Sequence, residues 1–172
     1  MDDRVFGKLV FTQEAIKNRV REIGRKISVD YHDKDLLMVG VLKGAYAFLA
    51  DLSRAVALPI RVDFLVVTGG RIFADLAQNI AGQDVLIVED IVDSGETFAF
   101  LKKELMARHP KSLRICTLLD KPHRRKANID IDYIGFTVQD KFVVGYGLDY
   151  KNRYRNLPYI AVLDKVSEDE EA

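Results

Sequence analysis

Glu89 and Asp90 stand side by side just ahead of a small polar turn, Asp93-Ser94-Gly95-Glu96-Thr97. The unbroken apolar run Val85 to Val88 leads into them, which suits a strand buried on both faces of a parallel sheet. The pattern predicts a strand that ends in the two carboxylates, then the turn, then a helix. A strand passing through a Gly-containing turn into a helix N-terminus presents backbone N–H groups to a phosphate. Carboxylates beside such a turn can hold sugar hydroxyls or a hard divalent cation. The segment therefore implies a ligand that is both a sugar and a phosphate.

Two more polar clusters follow apolar runs. Lys43-Gly44 comes after Leu36 to Leu42, and Asp120-Lys121-Pro122 comes after Leu113 to Leu119. Ligands of parallel α/β sheets bind beyond the carboxyl ends of strands, so neighbouring strands would bring the three clusters to one crevice. Taken singly, Lys-Gly is an ordinary turn and Asp-Lys-Pro an ordinary strand exit. Adjacent carboxylates at a strand end are less ordinary, because buried carboxylates need partners. The combination is what points to a site. Neither Gly-x-x-x-x-Gly-Lys-Ser/Thr nor Gly-x-Gly-x-x-Gly occurs, so the common nucleotide loops are not indicated. His32, His109 and His123 lack zinc spacing and read as surface residues. Cys116 is the only cysteine; in its apolar stretch it reads as a buried strand thiol.

The elements that must position these clusters alternate. Ile16, Val20, Ile23 and Ile27 form one apolar stripe of a helix over residues 13–28, with Thr12 as N-cap. Phe48, Leu49, Leu52 and Val56 mark a second helix, closed by Pro59. Phe98, Leu101 and Leu105 mark a third, stopping near Pro110. Strands are expected at Leu36–Leu42, Ile60–Val67, from Val85, and at Leu113–Leu119, Tyr133–Val138, Phe142–Val144 and Tyr159–Leu163. Residues 71–77 fit either a strand or a helical turn. This order predicts an α/β domain: a central, mainly parallel sheet flanked by helices, with right-handed crossovers and a small hood formed by the chain ends.

The chain has 172 residues, 48% hydrophobic and 30% charged, with 26 basic and 26 acidic side chains. That is the composition of one globular domain, residues 1–172, and its zero net charge does not indicate a general nucleic-acid grip. No apolar run approaches membrane-spanning length, and the acidic N-terminus does not resemble a signal peptide, so the expected compartment is cytoplasmic. The acidic tail, residues 167–172, is expected to be flexible.

The run from Val85 to Thr97 resembles the phosphoribosyl-pyrophosphate signature of type I phosphoribosyltransferases. Leu42-Lys43-Gly44-Ala45, Leu118-Leu-Asp-Lys-Pro122, Asp140-Lys-Phe-Val-Val-Gly-Tyr-Gly-Leu-Asp-Tyr150 and Arg153-Tyr-Arg155-Asn-Leu157 are similar, in order, to the hypoxanthine-guanine branch of the bacterial kind. The resemblance spans roughly residues 8–163. It implies that Asp93, Ser94, Gly95, Glu96 and Thr97 cradle the 5′-phosphate of phosphoribosyl pyrophosphate and that Glu89 and Asp90 hold the ribose hydroxyls. It implies Mg²⁺ beside Glu89 and Asp90, with Asp149 reaching a second Mg²⁺ through water. Lys43 and Gly44, across a Leu-Lys peptide that can be cis, and Arg155 would meet the pyrophosphate. Phe142 would stack on a 6-oxopurine, the Val143 backbone would bond its edge, and Lys121 would donate to its 6-oxygen. Asp93 would act near N7 as proton acceptor. Purine salvage and a homo-oligomer, dimer or tetramer, are the further implications.

One segment departs from that family. Its members carry a long mobile lid with a Ser-Tyr pair ahead of the carboxylate strand. Here Val66-Val-Thr-Gly-Gly-Arg-Ile-Phe73 passes almost directly into the next element and the pair is missing: the lid is lacking, or the sequence in hand omits a segment. A lidless chain also admits a second reading, a non-catalytic regulator that senses phosphoribosyl pyrophosphate or nucleotide on the same fold.

Overall fold

The structure is a computed structural model and describes residues 6–163. The acidic tail and the first residues lie outside the described part. A six-stranded sheet has the order β4-β3-β2-β5-β6-β7. Its strands are β2 (Leu36–Leu42), β3 (Arg61–Thr68), β4 (Arg71–Ala74), β5 (Asp84–Val92), β6 (Ser112–Asp120) and β7 (Tyr133–Thr137). All neighbours are parallel except β4, which returns antiparallel along β3. Helices α1 (Gln13–Asp30) and α2 (Tyr46–Ala55) pack on one face, and α3 (Glu96–Met106) on the other.

The period-two alternation of a strand divides the core between these faces. In β2, Leu36 and Met38 join α1 and α2, while Leu37, Val39 and Val41 join α3. Such a strand has no solvent face, which is why its sequence is a continuous apolar run. The α1 stripe expected from sequence, Ile16, Val20, Ile23 and Ile27, is buried, and Thr12 accepts a capping bond from the Ala15 N–H at 3.1 Å. Cys116 is buried in β6, and burial pushes its thiol far above the ordinary range, so it is a packing residue.

Several boundaries differ from the sequence pattern. Helix α1 runs on to Asp30. Strand β5 does not end at Glu89-Asp90 but passes through them to Val92. Strand β6 likewise ends at Asp120, and the late pairs Ile91↔Leu119 and Val92↔Asp120 hold both extensions in place. Thr97 lies inside α3, whose N-cap is Gly95. Residues 71–77 yield only the short β4, joined to β3 by Gly69 and Gly70. Both have positive φ (56° and 70°), as a tight two-residue hairpin requires. That hairpin occupies the place where the family's lid was expected. Phe6–Phe11, which the sequence pattern left unassigned, is strand β1. It pairs with β9 (Ile160–Leu163), which pairs with β8 (Val143–Val144). This antiparallel trio is the hood from the chain ends; Phe142 lies just outside its strand.

The α1–α2 crossing depends on Gly24. A Cβ there would sit 2.7 Å from the Ala55 Cβ and carbonyl oxygen. Gly24→Leu must push the helices apart, and we expect a loss of about 1–3 kcal/mol in chemical denaturation. An unchanged midpoint would show that the crossing tolerates a side chain.

Candidate active site

The three polar clusters meet at the carboxyl ends of β2, β5 and β6. After β2 the chain turns at Lys43-Gly44 across a cis Leu42–Lys43 peptide. The Gly44 backbone is seated against Asp90: a Cβ at Gly44 would overlap the Asp90 carboxylate. Gly147, at φ 102°, packs on the same turn, because a Cβ there would overlap the Gly44 carbonyl oxygen. The Tyr46 hydroxyl donates to the Arg155 carbonyl at 3.2 Å, and the Gly147 N–H donates to it at 2.9 Å. Arg155 itself bonds the Gly147 carbonyl at 2.7 Å and pairs with Asp149 at 2.6 Å. Asp149 also accepts from the Asn152 N–H at 2.8 Å.

Around the polar turn, Gly95 holds φ 82°, a conformation open to glycine, and aims the chain into α3. The first-turn N–H groups of α3 have no helical acceptor by construction. The Ser94 hydroxyl donates to the Glu96 carboxylate at 2.8 Å and accepts from the Glu96 N–H at 3.3 Å. Glu89, Asp93, Ser94, Gly95 and Thr97 line a small cavity of about 110 Å³. A larger groove of about 500 Å³ lies between α1 and α2, beside Lys17 and Arg54, and holds none of the expected residues. Chemistry rather than size identifies the site.

The carboxylates are under electrostatic load. Burial, then the charge of Asp90, pushes the Glu89 carboxyl well above its usual range. Burial likewise raises Asp90, against the opposing pull of its bonds to Glu89 and to the Ile91 N–H and of the Arg155 charge. Glu89 Oε2 is sealed from solvent without a hydrogen-bond partner. A buried acceptor with no donor fits a sugar hydroxyl or a hard cation.

On the other side, Lys121 is 6% exposed, and its backbone N–H donates to the Val92 carbonyl at 2.9 Å. Its ammonium lies 3.7 Å from Asp140. Phe142 is 44% exposed and meets Tyr150 edge to face, the centroids 5.7 Å apart. The Val143 side chain is buried in the hood. The sequence pattern missed the charged residues that join these parts. Arg124 bridges Asp93 at 3.1 Å and Asp140 at 3.3 Å. Arg125 pairs with Asp120 and lies against Gly95. The basic run Arg124-Arg125-Lys126 was the available signal.

The match to known proteins follows this geometry. The model of the phosphoribosyl transferase domain family matches residues 9–151. The chain is 48% identical to the hypoxanthine-guanine phosphoribosyltransferase of Mycobacterium avium, over 91% of this chain and 85% of that one. It is 46% identical to the hypoxanthine phosphoribosyltransferase of Escherichia coli K12, over 89% and 93%. The crystal structure of a hypoxanthine phosphoribosyltransferase from Staphylococcus aureus superposes with a TM-score of 0.91 at 42% identity, covering 95% and 97%. The chain belongs to the phosphoribosyltransferase family. Within it, these similar chains fall on the hypoxanthine and hypoxanthine-guanine branch.

The raised carboxyls predict a trade of stability for function. Their folded values lie above their unfolded ones, so the folded chain holds protons that the unfolded chain has released. They therefore destabilise the fold progressively as pH climbs from the ordinary carboxylate range through the raised values. Glu89→Gln should raise the ligand-free stability at neutral pH by about 1–3 kcal/mol, a gain that disappears in acid. Thermal melts at two pH values check this; a destabilised variant at neutral pH would contradict it.

Proposed function

We propose that this protein transfers the 5-phosphoribosyl group from phosphoribosyl pyrophosphate to hypoxanthine or guanine, giving IMP or GMP and pyrophosphate. The observation that carries the reading is the buried Glu89-Asp90 pair set between the phosphate-type turn and the enclosed Lys121. The groups for sugar, phosphate and base in this reading all stand at the carboxyl ends of neighbouring strands. In this reading Ser94, Gly95, Glu96 and Thr97 receive the 5′-phosphate, with α3 dipole and amides favouring the anion. Glu89 and Asp90 hold the ribose hydroxyls, and their charge supports the oxocarbenium-like carbon as the purine nitrogen displaces pyrophosphate. Lys43, Gly44 and Arg155 meet the pyrophosphate, where a guanidinium fork suits the anion.

Phe142 stacks on the purine, and the Val143 backbone bonds its edge. Lys121 donates to the 6-oxygen. Adenine offers a donor at the same position, so the contact disfavours it. Asp93 accepts the proton at N7. The regulator reading is less favoured, because a sensor needs neither an enclosed base-side lysine nor a proton acceptor.

Glu89 and Asp90 would hold Mg²⁺, and Asp149 would reach a second Mg²⁺ through water. The unpartnered Glu89 Oε2 fits a hard cation. Among the described residues no group of three or more His, Cys, Asp or Glu side chains gathers as a metal cage. That suits Mg²⁺, which leans on substrate oxygens and its own waters. Bound there, Mg²⁺ supplies neutralisation of the pyrophosphate charge.

A cytoplasmic location accompanies this reading; among the described residues no helix is long and apolar enough to cross a membrane. A homo-oligomer, dimer or tetramer, accompanies it as well. The β3 face leaves Val62 and Phe64 39% and 44% exposed, an apolar surface that a second copy would cover. A monomer by light scattering would remove that part of the proposal.

The decisive assay supplies Mg²⁺, phosphoribosyl pyrophosphate and a purine panel. Nucleotide should form from hypoxanthine or guanine, and failure with every 6-oxopurine would defeat the enzyme reading. Asp93→Asn should lower kcat by about 10²–10⁴ and weaken phosphoribosyl-pyrophosphate binding much less. Equal loss of both would argue against proton transfer at this residue.

A further inference from the structure

We infer that Arg124 and Asp140 are positioning residues that set the spacing between the two groups reading one edge of the purine. This inference rests on the proposed function, which places Asp93 at N7 and Lys121 at the 6-oxygen. Those two atoms are neighbours on a single purine edge, so the two protein groups must be held in register with each other. The backbone registers the two segments, with the Lys121 N–H on the Val92 carbonyl at 2.9 Å, but the Asp93 and Lys121 side chains leave from different strand ends and their spacing is left to what those side chains touch.

An alternating chain of four charges spans the gap. The Arg124 Nε lies 3.1 Å from Asp93 Oδ1, and its Nη1 donates to Asp140 Oδ1 at 3.3 Å. The same Asp140 oxygen lies 3.7 Å from the Lys121 ammonium. Asp93 Oδ1 is sealed from solvent without a hydrogen-bond donor, so the Arg124 charge is what compensates it at that oxygen. Arg124 is itself tied to Lys121 through a single 3-10 turn, Pro122–Arg124, with the Arg124 N–H donating to the Lys121 carbonyl at 3.1 Å. That loop is fastened to the phosphate-type turn by the Lys126 and Ala127 N–H groups, both on the Ser94 carbonyl.

The bridge is a poor stability device. The side chains of Arg124 and Asp140 are 51% and 56% exposed, and exposed pairs contribute about 0–1 kcal/mol. Losing it should therefore disturb geometry rather than folding. One Asp93 oxygen bound to Arg124 leaves the other available to the purine, and a fixed charge on the first oxygen limits rotation of the carboxylate.

The test compares IMP with ribose 5-phosphate, which share the phosphate and sugar contacts and differ in the base, where Lys121 donates to the 6-oxygen and Asp93, carrying the proton it has taken, donates to N7. By calorimetry, Arg124→Gln should weaken IMP about five- to tenfold and ribose 5-phosphate less than about twofold, with Arg124→Lys recovering part of the loss. Equal weakening of both ligands, or of neither, would overturn the inference. A kinetic cycle separates it from the reading beneath it. Arg124→Gln should lower kcat in the native background and change it less than about twofold in Asp93→Asn. Full loss in both backgrounds also overturns the inference. Undiminished turnover of Asp93→Asn alone would instead overturn the proton-acceptor role and leave the binding comparison to judge Arg124.

Discussion

The seating of the Lys43-Gly44 turn against the buried Asp90 carboxylate is the constraint on which the rest of this site depends. A side chain at Gly44 would displace the Asp90 carboxylate, because its Cβ would overlap it. The Gly145–Arg155 segment then rests on the same turn, with Gly147 against the Gly44 carbonyl. Two loops from distant parts of the chain are thus registered on one acidic residue of the central strand. Arg155 and Asp149 belong to that segment, which the Tyr146 hydroxyl also ties to Asp51 of α2 at 2.7 Å.

The same contact creates an electrostatic problem that the ligand-free chain leaves unsolved. Glu89 and Asp90 are neighbours, desolvated, and short of donors. Burying ionised carboxylates is unfavourable unless partners compensate them. A ligand rich in hydroxyls, with an accompanying cation, supplies those partners. Strain of this kind is stored at functional sites and offset by packing elsewhere. Here the offset comes from the apolar clusters packed on both faces of the sheet.

Much of the scaffold was legible because each element carries a local signal. The α1 stripe, the apolar runs of β2 and β5, and Pro110 after α3 depend on residues within a few positions of one another. Where pairing with a remote strand decides, the pattern fails. Strand β5 continues through two carboxylates only because β6 runs on beside it, and Phe6–Phe11 becomes a strand only because β9 lies within reach. The short β4 is set by a hairpin turn rather than by any apolar run.

The sequence by itself determined the cluster chemistry: a phosphate-type turn, paired carboxylates and an Asp-Lys strand exit, each recognisable from residue types a few positions apart. Tertiary structure decided that these clusters share a crevice, since strand order is set by long-range pairing. It also decided that Arg124, Arg125 and Asp140 belong there. No short-range pattern pairs them; only folding brings opposite charges from separate loops within ion-pair distance.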